Sequence, residues 1–203
     1  MILKKWKITC LVTLLALSCY YLDAQSNDNL FYRHSIQLNI AGLGFERWGL
    51  SYELRLTPQH ALFFQGGGSF PGISEEKEYG FGLHYKYFFQ PVSETKFLWL
   101  LKSAYRTNFA DVNVRYFNLA GIHKEAEFLY DAYFVGVGFG QTHVWHSGFT
   151  ISYWLGYGPP IGSEFEWKDQ IPADGDSFAK SYKAASGLDF GVTIGYSFGS
   201  QQK

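Results

Sequence analysis

Along most of this chain, apolar and polar residues trade places at every second position. In the clearest stretch, 47–57, Trp48, Leu50, Tyr52, Leu54 and Leu56 alternate with Gly49, Ser51, Glu53 and Arg55. Period two marks a strand with two different faces, because successive side chains leave the pleated backbone on opposite sides. Eight segments carry it: 35–45, 47–57, 61–70, 79–89, 97–107, 132–144, 149–157 and 187–198. In the fourth, Phe81, Leu83, Tyr85 and Tyr87 oppose Gly80, Gly82, His84 and Lys86. In the last, Leu188, Phe190, Val192, Ile194 and Tyr196 oppose Asp189, Gly191, Thr193 and Gly195. The third, with Gly66-Gly67-Gly68, is weaker. The pattern predicts an all-β fold, a transmembrane up-and-down antiparallel β-barrel of eight strands. Residues 112–118 either extend the fifth strand or begin an extra hairpin, which would make ten.

Alternation also fits a soluble barrel with an apolar interior, so the facing has to be argued. The minority face is Gly, Ser, Thr and Ala, punctuated by the acidic Glu53 and Asp189 and the basic Arg55, His84, Lys86, Lys102 and Arg106. A solvated outer face would carry more Lys and Glu and far less Gly. A narrow lumen needs small residues and charges that pair, since eight strands leave room only for side chains. Connections are short after the second, fourth and sixth segments and long after the third, fifth and seventh (71–78, 108–131 and 159–183), and the first, around Gly44 to Arg47, is short where a long one is expected. Outer-membrane barrels show that asymmetry between periplasmic turns and outer loops. Aromatics gather at the segment ends, Tyr87, Phe89, Trp145, Phe149 and Phe198 at one rim and Trp48, Tyr79, Tyr105, Tyr133 and Tyr157 at the other, as interfacial girdles do. The apolar face is therefore expected to meet lipid, with the lumen plugged by its own side chains. A small pore is the alternative, and its basic excess would favour anions.

The N-terminus reads as an address. Lys4, Lys5 and Lys7 precede a short apolar run, 8–17, and Leu22-Asp23-Ala24 offers a cleavage point. Residues 1–24 are expected to be a secretory signal peptide and 25–203 the barrel domain. Ala16-Leu17-Ser18-Cys19 resembles a lipobox, which leaves lipidation of Cys19 as a rival processing route. Both cysteines, Cys10 and Cys19, lie in this region, so no disulfide framework is expected beyond it.

Composition sharpens the picture. The chain has 203 residues, 20 % of them aromatic, with 22 glycines and only 17 % charged, against about a quarter charged in ordinary soluble domains. Basic residues number 17 and acidic residues 18, which gives no basic face for nucleic acid. Beyond the N-terminus no apolar run is long enough for a spanning helix.

On these residues, and on the ending Gly195-Tyr196-Ser197-Phe198, the chain resembles the small OmpA-like outer-membrane barrel proteins of Gram-negative bacteria. The resemblance implies residence in the outer membrane, contact with its lipid and lipopolysaccharide, and recognition by the barrel-insertion machinery through the strand ending at Phe198. Gly199 to Lys203 follow that aromatic, where family members often stop. It implies no individual function, and no cofactor is expected.

A structural or binding barrel would act through its long loops. The last contains Glu164, Glu166, Trp167, Lys168, Asp169, Asp174 and Asp176; Trp167 and the acidic members are candidate loop-binding residues, the acids with oxygen ligands of the kind calcium takes, and a solvated polar loop is the plainer reading. The competing class is an enzyme. Some eight-stranded outer-membrane barrels are lipid A deacylases built on His, Ser and an acidic residue. His143, His146 and Ser147 supply two of those types, and serine activation needs such a pairing. The deacylase pattern His-x-Ser-Asn is absent, so the chain is expected not to be an enzyme.

Overall fold

A computed structural model of the chain describes residues 32–70, 73, 76–89, 93–95, 104–145, 147–168 and 170–200. The signal peptide expected at 1–24, with Cys19, lies outside these residues, as do Lys102, His146 and Asp169. The strands are β1 Tyr32–Asn39, β2 Arg47–Arg55, β3 His60–Ser69, β4 Lys77–Phe88, β5 Ser93–Thr95, β6 Ala104–His123, β7 Ala126–Trp145, β8 Phe149–Tyr157, β9 Pro160–Trp167 and β10 Leu188–Ser200. One helix, α1, spans Gly175–Ser186. Eight strands close into an antiparallel barrel in the order β1-β2-β3-β4-β6-β7-β8-β10, with β10 returning to β1 from Tyr32↔Ser200 to Asn39↔Thr193. Each strand of the closed wall has a partner on both sides, so its backbone amides are satisfied without an edge.

The alternation sorts as the sequence predicts. Phe139 exposes 66 % of its surface on the outer wall, whereas Lys86, on the other parity, exposes 1 %. Ile36, Leu50, Leu83, Val114 and Phe190 are likewise exposed, and Gln37, Ser51, Asn113, Ser152 and Thr193 are buried inside.

Two elements differ from the sequence reading. The fifth wall strand is β6, Ala104–His123, which pairs with β4 from Phe88↔Phe109 to Lys77↔Ala120; of the expected stretch 97–107, residues 97–103 lie outside the described residues. Residues 108–131 are therefore strands of the β6–β7 hairpin rather than a long loop, and 112–118 extend the wall without adding a hairpin. The turn is Lys124-Glu125, both at positive φ (48° and 71°), as a tight right-twisting hairpin requires. The shift moves Tyr105 from the rim assigned to it to the opposite end, beside Trp145 in the β6–β7 register Ala104↔Trp145.

The second difference lies in 159–183. After Gly158-Pro159 the chain continues as β9, which pairs with the upper half of β7 from Phe134↔Pro160 to Phe128↔Trp167. Then comes α1. Phe178 and Tyr182 are one helical turn apart, Asp176 sits in the first turn and Lys183 in the last, matching the helix dipole. The aromatic pair packs against Phe128, Tyr130, Phe165 and Trp167, so the helix lies against the inner face of the rising β6–β7–β9 sheet.

Glycines on β7 make room for the inward side chains of β6. Gly138 is the cross-strand partner of Asp111, and Gly140 that of Phe109. A Cβ on Gly138 would run into the Asp111 carboxylate, and one on Gly140 into the Phe109 ring. Gly138→Val is expected to lower barrel stability by about 1–3 kcal/mol, the usual cost of overpacking. A reduced midpoint temperature for the heat-induced gel-mobility shift would show it.

Candidate functional site: the barrel interior and its helix-capped end

Inward positions on neighbouring strands build a ladder of paired polar groups along the barrel axis. At the end with the short β2–β3 turn, the Glu53 carboxylate accepts from Lys86 Nζ at 2.9 Å and Arg55 Nε at 3.3 Å. The Lys86 ammonium also lies 3.6 Å from the Phe63 ring centre, and the Arg55 guanidinium 3.9 Å from that of Phe88. One level up, His84 Nδ1 is 2.8 Å from Asp111 Oδ2, which accepts from Asn113 Nδ2 at 2.9 Å. Arg115 donates to Asn113 Oδ1 (3.2 Å) and the Gly187 carbonyl (3.1 Å), and lies 3.6 Å from Asp189 Oδ1. Asp189 Oδ1 accepts from Trp154 Nε1 at 3.2 Å. Asp111, Asn113 and Arg115 are alternate residues of one strand, so they stack on one face by strand geometry alone.

Aromatic rings fill what remains. Phe63 from β3 meets Trp154 from β8 edge to face, 5.8 Å between centres, and Ala61, Phe88 and Phe109 complete the cluster. β3 and β8 lie on opposite sides of the barrel, so this contact crosses the lumen.

Above the plug the interior opens into a half-enclosed cup of about 420 Å³. Arg115, Asp189 and Trp154 form its floor, and Tyr182, Ala185 and Ser186 of α1 its roof. At its margin Arg47 pairs with Glu78 at 2.6 Å. Burial, together with the nearby Glu76 and Glu78, raises the pKa of the Tyr182 phenol, which keeps it a neutral hydroxyl.

Of the interior charges read from the sequence, Glu53, Arg55 and Lys86 form one cluster, while His84 and Asp189 join Asp111 and Arg115 above it. Arg106 is a correction. It lies opposite His143 on β7, the parity of Asn108 and Gln141, whereas its neighbours Tyr105 and Thr107 line the interior. Cross-strand partners share a face, so Arg106 belongs to the outer wall. The sequence reading missed Asp111, Asn113 and Arg115, although they alternate with Val112, Val114 and Tyr116.

The loop candidates do not converge. Glu164, Glu166 and Asp176 are exposed, and Trp167 is half-buried in the aromatic pack under α1. Asp174 accepts from Lys124 Nζ at 2.7 Å and lies 3.4 Å from His123. The Lys124 hydrogen bond holds its carboxyl below the ordinary carboxylate range. Among the described residues no group of three or more His, Cys, Asp or Glu is placed to hold a metal ion. His143 bonds to Gln141 and Tyr153 on the outer wall, while Ser147 is exposed at the β7–β8 turn. The hydrogen bonds described for His143 reach neither a serine nor a carboxylate. The chain matches no protein-family model, no curated protein and no solved structure, so the geometry of the barrel is what its function must be argued from.

Proposed function

We propose that the chain is an outer-membrane protein, a closed barrel with a structural or binding role at its helix-capped end and no through-going pore. The observation that carries this reading is the union of an apolar outer wall with an interior of paired charges and crossed rings. From Tyr79 to Tyr87, the outward aromatics at either end of β4, the strand spans about 26 Å at about 3.3 Å per residue. A tilt of about 40° reduces this to roughly 20 Å of height, close to the apolar band of about 25 Å on outer-membrane barrels. Such a wall would be costly in water and favourable against acyl chains. The paired termini of β1 and β10 at one end suit an even strand count inserted by the barrel machinery through Phe198, after export directed by residues 1–24. The outer wall would then contact lipid and lipopolysaccharide.

The closed lumen separates this reading from the pore. Purified protein in planar bilayers is expected to give no steady conductance, because Phe63 and Trp154 meet across the tube and Lys86 is neutralised beside them. Discrete, long-lived openings from the purified protein would reject the closed barrel and favour the channel.

A further inference from the structure

We infer that the cup beneath α1 is a binding site for a neutral sugar of one or two rings. The inference goes beyond the membrane reading and does not depend on what surrounds the outer wall.

Size comes first. A half-enclosed space of about 420 Å³ falls within the range of about 300–1,000 Å³ in which small molecules bind. The barrel also keeps this space open by sequence. Gly49, Gly67 and Gly80 are direct cross-strand partners on β2, β3 and β4, so the wall there is bare backbone. Two levels below, at Glu53, Phe63 and His84, side chains close the tube.

The lining then selects the ligand. Its charges are already balanced, Arg115 against Asp189 and Arg47 against Glu78. A charged ligand would enter a largely desolvated space whose counter-charges are spent, which is unfavourable. A purely apolar ligand is disfavoured by the polar groups it would leave unmatched. Asp189 is 6 % exposed and lines the floor; its Oδ1 takes the Trp154 N–H, but Oδ2 has no hydrogen-bond partner among the described residues. That oxygen has no accessible surface of its own, so the polar groups open to a ligand are those of the wall and the roof. The Gln65 amide offers a donor and an acceptor from the wall, and the Tyr182 hydroxyl another pair from the roof. Phe117, Phe134 and Trp154 line the same space, and the half-buried Phe117 has the most ring surface open to it. A molecule with hydroxyls around its edge, C–H groups on its faces and no net charge matches all three demands. That is a sugar ring.

The test uses the full chain refolded in detergent, titrated by calorimetry and ligand-observed NMR. Glucose, N-acetylglucosamine, maltose and cellobiose are the neutral probes; glucuronate and glucosamine are the charged controls. At least one neutral probe should bind saturably, with each charged control about tenfold weaker or more, a difference of about 1.4 kcal/mol. Ala185→Trp, made at an exposed position on the roof, should fill the cup and weaken binding at least about tenfold while heat-modifiable gel mobility stays normal. If that variant does not fold, Gln65→Ala should weaken binding without closing the cup. No binding by any neutral probe overturns the proposal, as does equal binding of the charged controls or undiminished binding in a folded variant. Gel mobility reports the barrel and titration reports the cup, so the two readings can fail separately.

Discussion

Leu83→Arg is expected to abolish stable insertion into lipid, while Leu83→Val leaves it intact. Leu83 is exposed on the outer wall, midway along β4 between Tyr79 and Tyr87. Its cross-strand partners are Phe64 on β3 and Val114 on β6, and Val114 in turn faces Val135 on β7. That makes an apolar row across four strands at one level. If the row meets acyl chains, an Arg within it is as far from either interface as the wall allows, and snorkelling cannot bring its charge to water. Arg at the midplane of an outer-membrane barrel costs about 2–4 kcal/mol, a large share of the stability of a small domain. The measurement is the fraction of protein that refolds into phosphatidylcholine vesicles and shows heat-modifiable mobility. Ile122→Arg is the control: Ile122 is exposed on β6 beside the β6–β7 hairpin tip, well beyond Tyr79 and Tyr116, and the variant should insert normally. A Leu83→Arg protein that inserts as well as the parent would reject the lipid-facing assignment. So would a parent protein that remains monodisperse in buffer without detergent.

The fold was most legible where one rule governed both faces of a strand. In β2, β4, β8 and β10 the outer face is uniformly apolar and the inner face small or paired, so parity alone located the strands; 149–157 coincides with β8 to the residue. Legibility failed where the inner face changes partner. Above the cup, β6 and β7 turn Phe117, Phe128, Tyr130 and Phe134 inward against α1, so both faces are apolar and the alternation fades. That is why 108–131 read as a loop, although Asp111, Asn113 and Arg115 kept strict parity below it. The competing stretch 97–107 alternates equally well. What selects β6 is its twelve-residue register with β4, and pairing is not written in one strand's periodicity. Arg106 was assigned to the wrong face for the same reason, because a strand placed by the wrong register carries its parity with it.

Helix α1 had a readable signal too. Phe178, Tyr182 and Ala185 fall on one helical face after the start at Asp174-Gly175. Its acidic surroundings drew attention to a loop site instead. The cup could not have been foreseen from the same residues. It exists because glycines from three strands come into register beneath a helix from a fourth connection, and each contribution alone looks like ordinary strand or loop.

The second large effect lies inside the barrel. Glu53→Leu is expected to destabilise it by about 3–5 kcal/mol, the usual cost of removing one partner from a buried ion pair. Glu53 is the shared counter-ion of Lys86 and Arg55 and is 3 % exposed. Arg55 lies nearer the end of the tube and can turn towards water, but Lys86 cannot, since its side chain is 2 % exposed. The rings of Phe63 and Phe109 lie 3.6 and 4.5 Å from its ammonium, and cation–π attraction of about 0.5–2 kcal/mol does not replace a carboxylate. Adding Lys86→Met to Glu53→Leu removes the stranded charge and should recover most of the loss, because a well-packed apolar pair often substitutes for a buried ion pair at no cost. Lys86→Met alone should fall between them, as Glu53 keeps Arg55. The order is read from midpoint temperatures of the heat-induced mobility shift in one detergent. The double variant should remain non-conducting in planar bilayers, because the Phe63–Trp154 contact is untouched. If Glu53→Leu melts with the parent, Lys86 must already be hydrated, and the tube would then hold water past that level, which would favour the pore.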